Sequence, residues 1–220
     1  MAGTVVDEDN VVYKTLHKAL NNGGVNVTLT EVLAHGAGKE KSKAMFDIAT
    51  KRDDQIDATA LALMYEEFVT MLDKAYEELD VRPMNRATDV FNQLKSLKVY
   101  RVLNTGYNIK TATQLINKLG WKKGVHYDDL VTASDVEKAR PFPDMIYKAM
   151  ERLSVKEGAS VVKVGDSVVD IEEGVNAGCG MTIGITTGAH TRAQLLAARP
   201  DHIIDSLDEV IPLIALQPTS

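Results

Sequence analysis

Apolar positions recur at helical steps through the first third of this chain and in short alternating bursts through the rest. Val12, Leu16 and Leu20 share one face of a predicted helix that Gly23-Gly24 stops. Thr28-Leu29-Thr30-Glu31 has the form of a capping box opening the next helix. In a long amphipathic run, Leu61, Tyr65, Phe68, Leu72, Tyr76 and Leu79 return every three or four residues until Pro83 ends it. Residues 11–80 therefore read as helix after helix without a strand, and their apolar faces can pack as a small bundle.

The texture changes at residue 84. Asp89–Leu97 reads as a helix and Lys98–Leu103 as a strand running out into Asn104-Thr105-Gly106. The alternation goes on with a helix at Thr111–Leu119, a short strand at Asp129–Thr132 and a helix at Pro143–Leu153. A strand at Ser160–Val164, a helix at Ile171–Ala177 and a strand at Met181–Thr186 come next, with a last strand and helix after His202. Strands alternating with helices at this spacing specify an α/β fold with a doubly wound parallel sheet. Ligands bind such sheets beyond the carboxyl ends of the strands, so the chemistry belongs just after each strand.

Composition narrows the function classes. The 220 residues suffice for one α/β domain with a small appended domain. A net charge of −6 argues against nucleic-acid or membrane-surface partners. A lone cysteine, Cys179, excludes an internal disulfide and reads as a small buried residue. Met1 to Asp9 has neither the basic start nor the apolar run of a secretory signal, and no stretch has the length of a membrane span. A cytoplasmic location is the expectation.

Three strand ends carry suggestive side chains. Gly165-Asp166-Ser167-Val168-Val169-Asp170 sets two carboxylates four residues apart, a spacing able to bind a hard cation such as Mg²⁺ from a helix's first turn. A helix cap at Asp166 and a solvated charge at Asp170 is the plainer alternative. Thr105-Gly106 offers a hydroxyl and free backbone N–H groups to a phosphate oxygen, although an ordinary turn looks similar. In Lys138-Ala139-Arg140-Pro141-Phe142-Pro143-Asp144, Arg140 precedes a proline that fixes its approach to a helix starting near Pro143. Such a guanidinium can neutralise a phosphoryl group and a carboxylate together.

In that order, Thr105, Arg140-Pro141-x-Pro143-Asp144 and Gly165-Asp166-x-x-x-Asp170 resemble the second, third and fourth motifs of the haloacid dehalogenase superfamily. The opening Met1-Ala2-Gly3-Thr4-Val5-Val6-Asp7 is similar to the first motif of its phosphonatase-like branch, Asp-x-Ala-Gly-Thr-Thr-Val-Asp, from the second position onward. The resemblance covers essentially the whole chain. It implies a Rossmann-like core at residues 1–10 and 81–220 with a helical cap inserted at 11–80.

The resemblance also implies roles. Thr105 would bind phosphoryl oxygens beside Gly106, Gly3 and Thr4, and Arg140 would orient the nucleophile. Asp166 and the Ala2 carbonyl would hold Mg²⁺, with Asp170 supporting that shell. Ala2 stands where phosphatases of the family keep an acid that protonates an oxygen leaving group, so a carbon–phosphorus bond is the expected target. Phosphonoacetaldehyde hydrolases supply an electron sink through a cap lysine that forms an imine, and Lys39 in Gly36-Ala37-Gly38-Lys39-Glu40-Lys41 has the resembling spacing, with Lys41 the candidate if the alignment slips. The partner implied is a small phosphonate, or a phosphate ester if the core acts as a phosphatase. A ligand-binding protein without turnover is the remaining alternative, and a homodimer is compatible with any of these. The family's nucleophilic Asp corresponds to the position immediately before Met1, so a chain starting there is expected to be inactive, with its central strand missing. Asp7, Glu8 and Asp9 read as hinge or surface charges, His35 as a loop residue, and Tyr107 as lining the cleft or packing on the next helix.

Overall fold

A computed structural model describes residues 1–53 and 56–215. A short strand β1 (Val6–Asp7) leads into α1 (Val11–Asn22), α2 (Leu29–Gly36), α3 (Lys41–Arg52) and α4 (Ala58–Glu78). Then β2 (Arg82–Pro83) returns antiparallel to β1, pairing Val6 with Pro83 and Asp7 with Arg82. This ribbon closes the helical block at its base and was not expected, because strands of this length leave no periodic trace.

The block forms for the reasons read in the sequence. Val12, Leu16 and Leu20 are fully buried, as are the α4 residues Phe68, Leu72 and Tyr76 apart from small edges. Thr28 and Glu31 close the capping box: the Thr28 hydroxyl accepts from the Glu31 N–H at 3.2 Å, and the Glu31 carboxylate accepts from the Thr28 N–H at 2.8 Å.

The remainder alternates: α5 (Ala87–Ser96), β3 (Val102–Thr105), α6 (Ile109–Lys118), β4 (Asp129–Thr132), α7 (Asp144–Leu153), β5 (Val162–Gly165), α8 (Val168–Asn176), β6 (Met181–Ile185), α9 (Arg192–Ala197), β7 (His202–Ile204) and α10 (Val210–Ala215). The predicted helices and strands are all present, with shifted ends. β3 starts later than expected because Lys98 turns the chain at a φ of +59° and Arg101 is tied to Asp128 instead of to a neighbouring strand. The helix α7 starts at Asp144 with Pro143 capping it. Ser167, not Asp166, occupies the cap position of α8, so Asp170 lies in its first turn. The short helix α9 was not foreseen.

The α/β part is parallel throughout, but in two ladders: β3 with β4, and β5 with β6 and β7. Between β3 and β5 the described residues supply no strand. Side chains span that gap: Asn104 of β3 donates to Glu173 of α8 at 3.0 Å, and Glu173 accepts from Lys163 of β5 at 2.6 Å. The Asn104 side-chain oxygen has no hydrogen-bond partner. One apolar core cluster runs continuously from the helical block (Leu16, Phe68, Tyr76) into the α/β part (Leu103, Ile183, Ile185). Among the described residues, no helix is long and apolar enough to cross a membrane.

The block sits directly on the strand ends. At Gly38 the backbone has a φ of +72°, and a Cβ there would come within 2.3 Å of Val169 and 2.4 Å of the Ser167 hydroxyl. Gly106 faces it from the other side, where a Cβ would meet the Gly38 carbonyl at 2.8 Å. His190, in the loop after β6, accepts from the Val168 N–H at Nδ1 (2.9 Å), so its Nε2 carries the proton and donates to the Leu33 carbonyl of α2 at 3.2 Å.

Candidate active site

The strand ends of β3 and β5 and the start of α3 enclose a small cleft. Its floor is formed by Met1 and Ala2, one wall by Thr105, Gly106 and Tyr107, and another by Arg140, Asp166 and Asp170. Tyr13, Gly38 and Lys41 cover it from the helical block. The free volume is about 20 Å³, room for about one water. A larger cavity of about 450 Å³ opens between α3 and α4, but its walls are mainly apolar (Met45, Phe46, Leu61, Tyr65) and carry no carboxylate. The chemistry therefore belongs to the smaller cleft.

Asp166 follows the last residue of β5, at the point where a parallel strand delivers side chains to a ligand. Its carboxylate accepts from the Thr4 hydroxyl at 3.0 Å and from the Ala189 N–H at 2.9 Å. Burial, and after it the negative charge of Asp170, push the Asp166 carboxyl up from its ordinary value. Gly3 lies so close that a Cβ there would be 2.3 Å from an Asp166 oxygen, and its positive φ of +74° suits glycine as well.

Asp170 meets the opposite fate. Burial alone would raise it, but the Arg140 guanidinium and the Lys163 ammonium (3.1 Å) hold it well below the usual carboxylate range. Ser167 donates a further hydrogen bond to it. Arg140 is itself buried, pairs with Asp170, and approaches Glu173 at 3.7 Å through a nitrogen, Nε, that has no hydrogen-bond partner. Thr105 is buried at the end of β3, and its hydroxyl accepts from the Tyr107 N–H at 3.2 Å.

Of the residues expected at the site, Ala2, Thr105, Gly106, Arg140, Asp166 and Asp170 line one cleft. Gly3 and Thr4 stand behind it, against Asp166. Lys39 is not brought there. Its ammonium pairs at 2.8 Å with Asp47, eight residues on and inside α3. The lysine that enters the cleft is Lys41, only 6% exposed. Its ammonium donates to the Lys39 carbonyl at 2.7 Å and lies 4.7 Å from the Tyr13 ring centre and 5.6 Å from that of Tyr107. Burial, then the positive charge of Arg140, bring the Lys41 amine down to about 8 against the opposing pull of Glu8. The reason for the exchange is the turn at Gly38: it lets Lys39 face outward to Asp47 and swings the next-but-one side chain inward.

Tyr13, Tyr76 and Glu8 were missed as cleft neighbours. Tyr13 accepts from the Gly38 N–H at 3.0 Å, fixing the turn that aims Lys41. Glu8, grouped in the sequence with surface charges, is 2% exposed and accepts hydrogen bonds from the hydroxyls of Tyr76 (2.9 Å) and Tyr107 (3.1 Å). Burial pushes its carboxyl up to about 7 despite those two bonds. Tyr76 keeps the period of an apolar stripe, and nothing in that period marks its hydroxyl. Tyr107 does line the cleft. His35 lies against Lys51 at 2.9 Å, not in the cleft, and Cys179 is only partly buried, its thiol raised to about 11 by its surroundings.

Asp166 and the Ala2 carbonyl offer only oxygens, and Asp170 adds charge behind them. This donor set suits Mg²⁺, which keeps several waters and needs few protein ligands. A dication there would offset both causes that raise Asp166, its burial first and the charge of Asp170 after it.

Comparisons with known proteins give the chain's relatives. A bifunctional phosphonoacetaldehyde hydrolase/aminoethylphosphonate transaminase from Clostridioides difficile is 37% identical over 52% of this chain and 18% of its own length. A phosphonoacetaldehyde hydrolase from Latilactobacillus sakei is 28% identical over 93% of this chain and 78% of its own. The chain spans less than half the length of several other curated relatives, such as the Lysinibacillus sphaericus phosphonoacetaldehyde hydrolase, matched over 46% of its length at 34% identity. The crystal structure of a phosphonoacetaldehyde hydrolase-like protein from Oleispira antarctica superimposes with a TM-score of 0.81 at 22% identity, over 97% of this chain and 88% of that one. A hydrolase from Pseudomonas syringae does so with a TM-score of 0.82 at 16% identity, over 98% and 95%. These similarities establish the fold, and a family model matching residues 1–184 establishes the lineage: the chain belongs to the haloacid dehalogenase-like hydrolases.

Proposed function

We propose that this hydrolase acts on the carbon–phosphorus bond of phosphonoacetaldehyde or a closely related small aldehyde phosphonate, and that Lys41 forms the imine. The observation that carries the reading is Lys41 itself: a buried amine whose pKa is lowered to about 8, in the same cleft as Thr105, Gly106 and Arg140. The helical block, residues 11–80, acts as a cap over a core formed by residues 1–10 and 81–220.

The chain's own residues bind and activate. Thr105 and Gly106 offer a hydroxyl and an N–H to the phosphonate oxygens, and Arg140 supplies positive charge beside them. The neutral Lys41 amine attacks the aldehyde carbon, a C–N bond forms, and the carbonyl oxygen leaves as water. The resulting iminium accepts the electron pair released when the C–P bond breaks, giving an enamine. In the family the phosphoryl group passes to an aspartate at the position that would precede Met1, so the acceptor for this step is not among these 220 residues. Asp166 and Ala2 would hold Mg²⁺, with Asp170 fixed behind them, and the ion would offset repulsion between phosphoryl and carboxylate oxygens. With Ala2 in place of an acid, an alkoxide leaving group lacks a proton donor, which weighs against a phosphomonoester substrate.

Borohydride reduction in the presence of phosphonoacetaldehyde tests this without requiring turnover. The substrate carbon skeleton should be found on Lys41 by mass spectrometry, in the Lys39→Arg variant as in the unaltered chain, and not in Lys41→Arg. A label on Lys39, or none at all, would refute the reading; phosphate release from monoesters without a label would favour a phosphatase.

A further inference from the structure

Glu8 has no part in the chemistry described so far, yet it is among the most deeply buried acids in the molecule. It sits where the chain passes from β1 into α1, and its two oxygens are held by hydroxyls from different parts of the fold. Tyr76 comes from the far end of α4, and Tyr107 from the loop after β3. The ring of Tyr107 that carries one of these hydroxyls also faces the Lys41 ammonium. A buried carboxylate fixed by two tyrosines, with one tyrosine shared with a buried lysine, is costly unless its charge is used.

We propose that Glu8 is the counter-charge of the Lys41 imine, a positioning residue held by Tyr76 and Tyr107. This rests on Lys41 being the imine lysine. Ammonium and iminium carry the same single positive charge, so a fixed anion near Lys41 steadies both inside a cleft that has room for little water. The groups facing Lys41 are Arg140 before α7, Asp166 after β5, Glu40 at the start of α3, the two rings of Tyr13 and Tyr107, and Glu8. Those facing Glu8 are Tyr76, Tyr107, Tyr13 and Lys41, together with the backbone at Val12. Of the acids that oppose the lowering of the Lys41 amine, Glu8 is the one that shares the Tyr107 ring with it and whose carboxylate is bound by neither a helix cap nor the metal-binding corner. Asp166 and Glu40 are engaged elsewhere, by Thr4 and Ala189 and by Ser42 and Lys43.

The test follows imine formation on the full chain, with phosphonoacetaldehyde as the probe and borohydride as the trap, across a pH series. Glu8→Gln keeps the shape and hydrogen-bonding capacity but removes the charge; Glu8→Asp keeps the charge. In the unaltered chain, trapping should rise with a midpoint near the Lys41 value of about 8. An anion beside an amine raises its pKa, so Glu8→Gln should move the midpoint down by about one pH unit. Well above both midpoints, the same variant should need about tenfold more aldehyde for half-maximal trapping, because its iminium has lost a counter-charge. Glu8→Asp should stay close to the unaltered midpoint. A Glu8→Gln midpoint equal to that of the unaltered chain, with Lys41 still labelled, would overturn the counter-charge and leave the imine reading intact. Absence of any label on Lys41 in the unaltered chain would overturn both. A purely structural role for Glu8 would lower the extent of labelling in both variants without moving the midpoint, and that also counts against the proposal.

Discussion

Replacing Glu8 by Gln should make the protein more stable at alkaline pH while leaving it nearly unchanged at acid pH. The carboxyl is raised from its ordinary 4.5 to about 7, with burial as the leading cause and the tyrosine hydrogen bonds opposing it. A folded-state pKa above the unfolded one means that the native state holds its proton more tightly. The stability associated with that proton is complete below about pH 4.5 and is lost as the pH rises through about 7. At about 1.4 kcal/mol per unit, the loss amounts to about 3 kcal/mol, a large share of the roughly 5–15 kcal/mol that holds a domain together. Gln cannot ionise and avoids it. By about pH 9 the native Lys41 has also lost its charge, its value being about 8, so removing the anion no longer strands a cation. Urea denaturation of both proteins at about pH 5 and about pH 9 measures the difference directly. The stability gap should widen in favour of Glu8→Gln by about 3 kcal/mol between those conditions, or by roughly 6–12 °C in Tm for a chain of this size. An equal gap at both pH values would mean that Glu8 does not titrate in this range, and the burial argument would fail.

Three further outcomes follow from the same geometry. Lys163→Met removes the buried cation bound to Glu173 at 2.6 Å and Asp170 at 3.1 Å, and should cost about 3–5 kcal/mol in denaturant titrations because two carboxylates lose a partner. Gly38→Ala sets a Cβ 2.3 Å from Val169 at a positive φ, a conformation costing a side chain about 1–2 kcal/mol by itself; the helical block should seat poorly, seen as faster limited proteolysis near residue 38 and weaker labelling of Lys41. Thr28→Ala breaks the capping box at the start of α2 and should cost about 1 kcal/mol. That loss should leave the pH midpoint of labelling where it was, since no residue of α2 lines the cleft.

The cleft as it stands has room for about one water, so under the proposed function a phosphonate would enter only if the helical block lifted from the strand ends. The contacts to be broken would include His190 with the Leu33 carbonyl, Gly38 against Ser167 and Val169, the Tyr76–Glu8 bond, and part of the apolar core shared by the helical block and the α/β part. Glu8 bonds to Tyr76 of the helical block and to Tyr107 of the cleft wall, so the counter-charge proposed for Lys41 is also one of the contacts that join the two parts.

Much of this protein was legible in its sequence because the signals are local. A helical stripe such as Val12, Leu16 and Leu20 specifies which face is buried whatever it packs against, and Thr28 with Glu31 satisfies a helix start within four residues of chain. The order Thr105, Arg140, Asp166 and Asp170 named the cleft for a similar reason: in a parallel α/β fold, residues just after strands converge at one edge however far apart they lie in the chain. Tertiary structure alone decided the rest. Whether Lys39 or Lys41 reaches the cleft depends on one left-handed turn at Gly38, locked by Tyr13 and by the surface of α8, and the spacing of lysines is silent about it. Glu8 looks like its acidic neighbours Asp7 and Asp9 in sequence; only the meeting of α4 with the loop after β3 buries it and raises its pKa. A side chain's charge is written in the sequence, but the energy of that charge depends on what surrounds it, and those surroundings are assembled from residues up to about a hundred positions away.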